Sequence, residues 1–358
     1  MHPLRYLAIY ALSGIGIASL FTQGIATFTL PFIIFGVIPL AEMVLPGTPE
    51  NLAPEQEKAR LASPVYTALL YLALPILFAA LAVLMVRAES GALSGLSLLG
   101  GIATVGSLVG ALGLNAGHEL GHRSNPAHHR TSKLLYLSAH YMHFFTEHNL
   151  GHHMKVATDD DPASAKRGDW LYARWVRSIV GGVRSAWHIE TCRIARKGHR
   201  AISVHNSVLR GFIIQAAALI AVGLLIGSTA AAAWLGAALV GVLMLETVNY
   251  VEHYGLRRGD NGRGRPERVQ PHHSWNSNHT LGRILLFDLS RHSDHHANPR
   301  RPYPVLRHFD DAPQLPTGYP GMMVLATIPP LFHAVMAREL DRVQQAHPLP
   351  VSAEQSAA

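Results

Sequence analysis

One cysteine, Cys192, is all that the 358 residues contain, which excludes a disulfide framework and any thiolate-bound iron–sulfur centre within the chain, since such centres take about four cysteines. Electrons, where the chemistry needs them, have to come from elsewhere. Charge is scarce too: Asp, Glu, Lys and Arg make up 15% of the chain against 49% apolar residues, and the mean hydropathy is +0.16, too oily for an average soluble domain. The formal net charge of +7 comes with no compact basic module and no aromatic-interleaved motif, so nucleic acid is not an indicated partner. After Met-His-Pro-Leu-Arg the apolar run is too long for a signal-peptide core and lacks a small-residue cleavage site, so it reads as retained.

What is present begins with long runs that carry no charge. Tyr6 to Ala41 is one, 36 residues, and as a single helix it would be ~54 Å long against a hydrocarbon core of ~30 Å. Two short crossings with a turn at Gln23-Gly24 fit it. Val65–Val86 and Gly91–Gly117 each suit one tilted helix, and the uncharged stretch from Gly211 to Leu245 repeats the double pattern around Gly227-Ser228. The expectation is therefore an all-α integral membrane protein of one domain, 1–358, with about six transmembrane helices near 6–22, 25–45, 65–86, 91–117, 207–227 and 229–250. The regions outside are 118–206 and 251–358. Met322 to Met336, with Pro329-Pro330 and His333, reads as an interfacial or packed helix.

Basic residues crowd both outer regions (Arg123, Arg130, Lys133, Lys155, Lys166 in one; Arg257, Arg258, Arg263, Arg300, Arg301 in the other), whereas the loop after the second crossing offers Lys58 and Arg60 against Glu50, Glu55 and Glu57. The positive-inside rule then puts both basic regions and both chain ends in the cytoplasm. Four crossings precede His118 and two more separate it from His253. Both counts are even, so the histidine clusters emerge on one face.

Those clusters carry the chemistry. His118-Glu-Leu-Gly-His122 sets two imidazoles four apart on one helix face; alone it is also the zinc-protease motif, with Glu119 as general base. Glu147-His148-Asn-Leu-Gly-His152-His153 repeats the spacing. Asn249-Tyr250-Val-Glu252-His253-Tyr254-Gly255 and Arg291-His292-Ser-Asp294-His295-His296-Ala297 follow. One catalytic zinc takes three protein ligands, leaving most of these nine histidines idle, whereas two metals of higher coordination can use them all. Imidazole suits iron, copper, nickel and zinc alike; the apolar helical setting, without water-positioning machinery, favours iron. Glu119, Glu147, Glu252 and Asp294 are candidates to accept the far ring N–H of a ligating histidine, or else are solvated or capping carboxylates. His128, His129, His140, His143, His205, His279 and His308 read as packed or surface residues, and His272 and His273 either line the site or support it. Asp159-Asp160-Asp161 lacks the glycine and glutamate of a calcium loop and reads as a capping or surface element.

At these residues the sequence resembles the integral-membrane alkane monooxygenases, within the superfamily of membrane fatty-acid desaturases and hydroxylases. The three histidine boxes carry the resemblance, with the 249–256 stretch, Ser274-Trp275-Asn276-Ser277-Asn278 and Pro313-Gln314-Leu315-Pro316-Thr317-Gly318-Tyr319-Pro320; Arg123 stands where a lysine often follows the first box. The resemblance implies two non-haem irons held by nine histidines, here His118, His122, His148, His152, His153, His253, His292, His295 and His296. It further implies six transmembrane helices in the inner cell membrane, terminal hydroxylation of n-alkanes with O2, and electrons from rubredoxin and its reductase. An alkyl-aromatic methyl hydroxylase is the nearest alternative, with a lipid desaturase and the zinc protease behind it.

Overall fold

A charge-free run in an apolar medium has to satisfy its own backbone hydrogen bonds, and helix is the way a single segment does so. The computed structural model, which describes residues 2–347, is helical accordingly, with no strand among those residues. In chain order the helices are α1 (Leu7–Ser19), α2 (Gly24–Glu42), α3 (Pro54–Ala62), α4 (Val65–Glu89), α5 (Gly95–Gly121), α6 (Pro126–Ser138), α7 (144–155), α8 (Leu171–Ala195), α9 (Ser207–Leu225), α10 (Ser228–His253), α11 (Thr280–Leu285), α12 (His292–Ala297), α13 (Tyr319–Ala326) and α14 (Pro329–Ala346).

Five of them, α2, α4, α5, α9 and α10, are long and apolar enough to cross a membrane. The run at 6–22 forms a shorter helix: α1 has 13 residues behind the 3-10 turn Pro3–Tyr6, and its α-helical part spans only about 20 Å. Helices α5 and α10 run on past the expected ends at 117 and 250, so that His118 and His253 are helical residues. Met322 to Met336 is two helices, α13 and α14, broken ahead of Pro329-Pro330.

The loop after α2 lies on the histidine face, and comparing its charge with that of the basic regions therefore says nothing about sidedness. Arg307 pairs with Glu57 at 2.7 Å, Arg60 donates to the Pro304 carbonyl at 2.8 Å, and Arg291 donates to the carbonyls of Thr48 and Glu50, both at 2.9 Å. Parity is the reason, since two passes return the chain to its starting face. The true far-side connections, 20–23, 90–94 and 226–227, contain no charged residue. The charge asymmetry is thus sharper than the loop comparison suggested.

Two features position the site. Helices α5 and α10 meet at glycines: a Cβ on Gly106 would fall 2.5 Å from Val240, and one on Gly241 would fall 2.4 Å from Val109. Small residues let the backbones close up, which brings the His118 and His253 ends together. On the histidine face, the buried Asp288 carboxylate takes Arg5, Tyr6 and Arg283, and the fully buried Arg291 also donates to the Leu306 carbonyl at 2.7 Å. That polar network ties the N-terminus and the α2–α3 loop to the residues just ahead of α12.

Candidate metal centre

The eight histidines of the boxes and His253 converge, and they sort into two groups. His118, His122, His148, His153 and His295 bring one ring nitrogen each to within 4.8 Å of one another. His152, His253 and His296 form a second set, which His292 and Glu252 join through His253. None of His128, His129, His140, His143, His205, His279 and His308 belongs to either group among the described residues.

The division cuts across the boxes. His118 near the end of α5 and His122 just past it, one turn on, serve the first group together. In the second box the backbone is a π turn over His148–His152. Positions five apart in an α-helix point about 140° apart, but the wider turn brings His148 and His153 to one centre, Nε2 to Nε2 at 3.0 Å, and sends His152 to the other. On α12, His292 and His296 share the second group while His295 faces the first, 3.2 Å from His153.

The nitrogens are arranged as ligands. Nε2 contacts of 3.3, 3.2, 3.0 and 3.2 Å run from His118 through His122, His148 and His153 to His295. An imidazole nitrogen has a single in-plane site, a proton or a lone pair, so it cannot hydrogen-bond to two neighbours in such a chain. Two nitrogens ~2.1 Å from a shared metal, at angles between octahedral and tetrahedral, sit about 3.0–3.4 Å apart. His152 Nε2 and His296 Nε2 are buried with no protein partner, positions open to an ion; burial lowers the His152 imidazole but Asp161 opposite raises it further, to about 9, so a metal there has to displace a proton. Burial first, then repulsion from His152 and Arg123, lowers the His122 imidazole to about 3, and burial with mutual repulsion keeps His148, His153, His292, His295 and His296 well below the ordinary histidine range. These rings are neutral, the form that binds metal.

The supporting carboxylates differ from those the spacing suggested. Glu119 holds Arg123 in a two-point contact, 2.6 Å at its shorter arm, and accepts the Tyr303 N–H. It is turned away from both groups and is not placed as a zinc-protease base. Asp294 is likewise taken by Arg301, Asn298 and the Arg307 N–H. Glu147 is buried with Oε1 unpartnered, and burial pushes its carboxyl up. Glu252 reaches His292 Nε2 at 3.1 Å, the nitrogen that faces the metal position, so it stands among the ligand atoms. Sequence reasoning passed over Asp161, read as a capping or surface residue. It is fully buried, faces His152 Nδ1 at 3.0 Å and accepts from Ser164 Oγ at 2.6 Å. Its only sequence signal is the uncharged run Pro162-Ala163-Ser164-Ala165 that follows. His273 stays apart: its Nδ1 accepts the Gln270 N–H at 3.0 Å and its Nε2 faces Glu267 at 3.2 Å.

Beneath the histidines lies a largely apolar cavity of about 100 Å³. His118, His148 and His292 form its upper wall, and Ile34, Gly110, Ala111, Leu114, Met244 and Met323 continue it toward the bundle. A separate cleft opens to the outer surface beside His122 and His153, bordered by Arg123, His129, Leu150 and Arg300.

A family model described as fatty acid desaturase matches residues 93–326. Alkane 1-monooxygenase 1 of Pseudomonas aeruginosa is 38% identical over 334 residues, covering 92% of this chain and 87% of its own. The alkane 1-monooxygenase of Ectopseudomonas oleovorans is 40% identical over 307 residues, covering 84% of this chain and 75% of its own. At 27% identity over 346 residues, 94% of this chain and 89% of the other, stands the xylene/toluene monooxygenase hydroxylase component XylM of Pseudomonas putida.

Proposed function

The chain belongs to the alkane 1-monooxygenase family, and from that membership we propose that it is a non-haem di-iron enzyme hydroxylating the terminal methyl of n-alkanes with O2 and electrons from rubredoxin. The observation that carries this reading is the apolar cavity that ends on His118, His148 and His292, so that ligands of both groups face one substrate space.

Iron held by these nine histidines would supply the reductive activation of O2, in which, with two electrons from the donor and two protons, one oxygen atom enters a C–H bond and the other leaves as water. Asp161 orients His152, and the buried network at Asp288 and Arg291 holds α12 in place beneath the other ligands. An alkane offers nothing to hydrogen-bond, so the walls at Ile34, Leu114 and Met244 select a carbon by shape, with ~1–3 kcal/mol per methylene available for discrimination. Packing the chain against those walls also excludes water from the reacting carbon. Arg123, His129 and Arg300 border the cleft beside His122 and His153, and they suit an acidic rubredoxin, reduced by its reductase, that delivers electrons from solution. In this reading the protein lies in the inner cell membrane, with its termini and metal centre cytoplasmic; the uncharged far-side connections support that orientation.

The test is product analysis. Membranes carrying the protein, a rubredoxin and its reductase are given octane, hexadecane and p-xylene, and Mössbauer spectra report the metal. Primary alcohols from the alkanes are expected. Turnover of xylene with neither alkane consumed would move the assignment to an alkyl-aromatic methyl hydroxylase, and an alkene product would make it a desaturase.

A further inference from the structure

The cavity under the histidines shares a wall with a second pocket. Its far wall carries Met244 of α10 and Met323 of α13, and the same two side chains also line a second apolar depression on the outside of the bundle, with Phe35, Val240, Thr247, Val324 and Thr327. Adjacent residues of the π turn Ile33–Val37 in α2 face opposite ways across this partition: Ile34 lines the inner cavity and Phe35 the outer depression. No charged residue lines the depression. Val240 to Thr247 lies roughly 9–20 Å along α10 from its His253 end, which is hydrocarbon depth on a spanning helix, so the depression opens to lipid.

We infer that this depression is a lateral portal by which an alkyl chain passes from the bilayer to the metal centre, with Met244 and Met323 as its movable partition. The inference rests on the alkane reading of the cavity. A saturated chain gains ~0.8 kcal/mol for each methylene withdrawn from water, so its reservoir is the membrane. The other opening to the histidines, bordered by Arg123, His129 and Arg300, is charged and faces away from lipid. Methionine suits a partition because it is unbranched, has three rotatable bonds and can swing aside without moving the backbone. Gly110 sets the closed position: a Cβ there would lie 3.1–3.2 Å from Met244 Cβ, Sδ and Cε, so the Met244 side chain rests directly on the α5 backbone.

The experiment uses the full-length protein in membranes and a twelve-carbon alkane bearing a photoreactive diazirine. Peptide mapping reads the label, and KM and kcat for dodecane are measured alongside with the donor proteins. In the unaltered protein the label is expected on Met244 and Met323 and is displaced by dodecane. Val324→Trp, or Thr327→Trp should the first variant lose its metal or fold, plugs the outer rim without touching the inner cavity. Either variant is expected to cut labelling of Met244 about tenfold and to raise KM by a similar factor, with kcat within about twofold, the pattern of lost access rather than lost chemistry. Undiminished labelling of Met244 with unchanged KM in a folded, metal-loaded rim variant would overturn the portal even while alkanes are turned over. A label that dodecane does not displace would mark a structural lipid and overturn it as well. Portal-dependent labelling without alkane turnover would instead leave the route standing and remove the alkane reading.

Discussion

Nδ1 of His152 lies 3.0 Å from Oδ2 of Asp161, and both groups are buried. The contact commits the Nδ1 proton to the carboxylate and turns Nε2 toward the second group of ligands. Charge on a buried carboxylate opposite also raises the basicity of the ligating nitrogen.

Removing that partner should therefore weaken one metal and spare the other. Asp161→Ala is expected to lower affinity at the His152–His253–His292–His296 group by about 10–100-fold, with Asp161→Asn intermediate because it keeps an oxygen acceptor. Metal content after graded chelator dialysis measures it. Glu119→Gln, which disturbs a contact to Arg123 instead, should leave the content unchanged; loss of metal in that variant would contradict the geometry.

The two-group arrangement predicts a specific partition between adjacent residues. His295→Ala takes a ligand from the five-histidine group and His296→Ala one from the other, so each variant should retain about one metal per chain, and their Mössbauer spectra should show complementary losses. Identical spectra from the two would mean that both residues serve one centre.

Close approach of α5 and α10 makes Gly241 intolerant of a side chain. Because a Cβ at this position would meet Val109 at 2.4 Å, Gly241→Val should cost ~1–3 kcal/mol or more from overpacking and lower the thermal midpoint in detergent. At Gly223 the nearest atom is 3.9 Å away, and Gly223→Val should be nearly silent.

Acid should destabilise the metal-free protein steeply. Folded-state values depressed below the usual ~6.5 of histidine, as at His122 (about 3) and in the same direction at His148, His153, His292, His295 and His296, mean that the unfolded chain binds more protons once pH falls below ~6.5. Stability then falls with pH by up to ~1.4 kcal/mol per unit for each such histidine, offset in part by Glu147, whose carboxyl burial raises to about 8 so that its protonation favours the fold as pH falls. Thermal melts of chelator-treated protein between pH 7.5 and 5 measure the slope; a flat profile would argue against the dense burial of neutral rings.

Much of the architecture could be read in advance because it follows from local rules. An uncharged run longer than a bilayer must turn back, as 6–41 and 211–245 both do, although α1 in the first is shorter than a full span, and the even number of passes between His118 and His253 put the boxes on one face. Local rules misled at the loop after α2, where a charge comparison ignored the parity of the passes already counted, and at Glu119 and Asp294, whose nearness to histidines in sequence said nothing of the arginines that occupy them.

The chain's residue order by itself determined that nine histidines in helical spacing meet at one end of a helical bundle, since spacing and span length are properties of a segment. Which histidine joins which group was decided only by tertiary structure. The π turn at His148–His152 and the crossing of α5 with α10 at Gly106 and Gly241 set the directions of the rings. Asp161 and the Met244–Met323 partition likewise exist only through contacts between distant segments, and the spacing within any one segment cannot encode them.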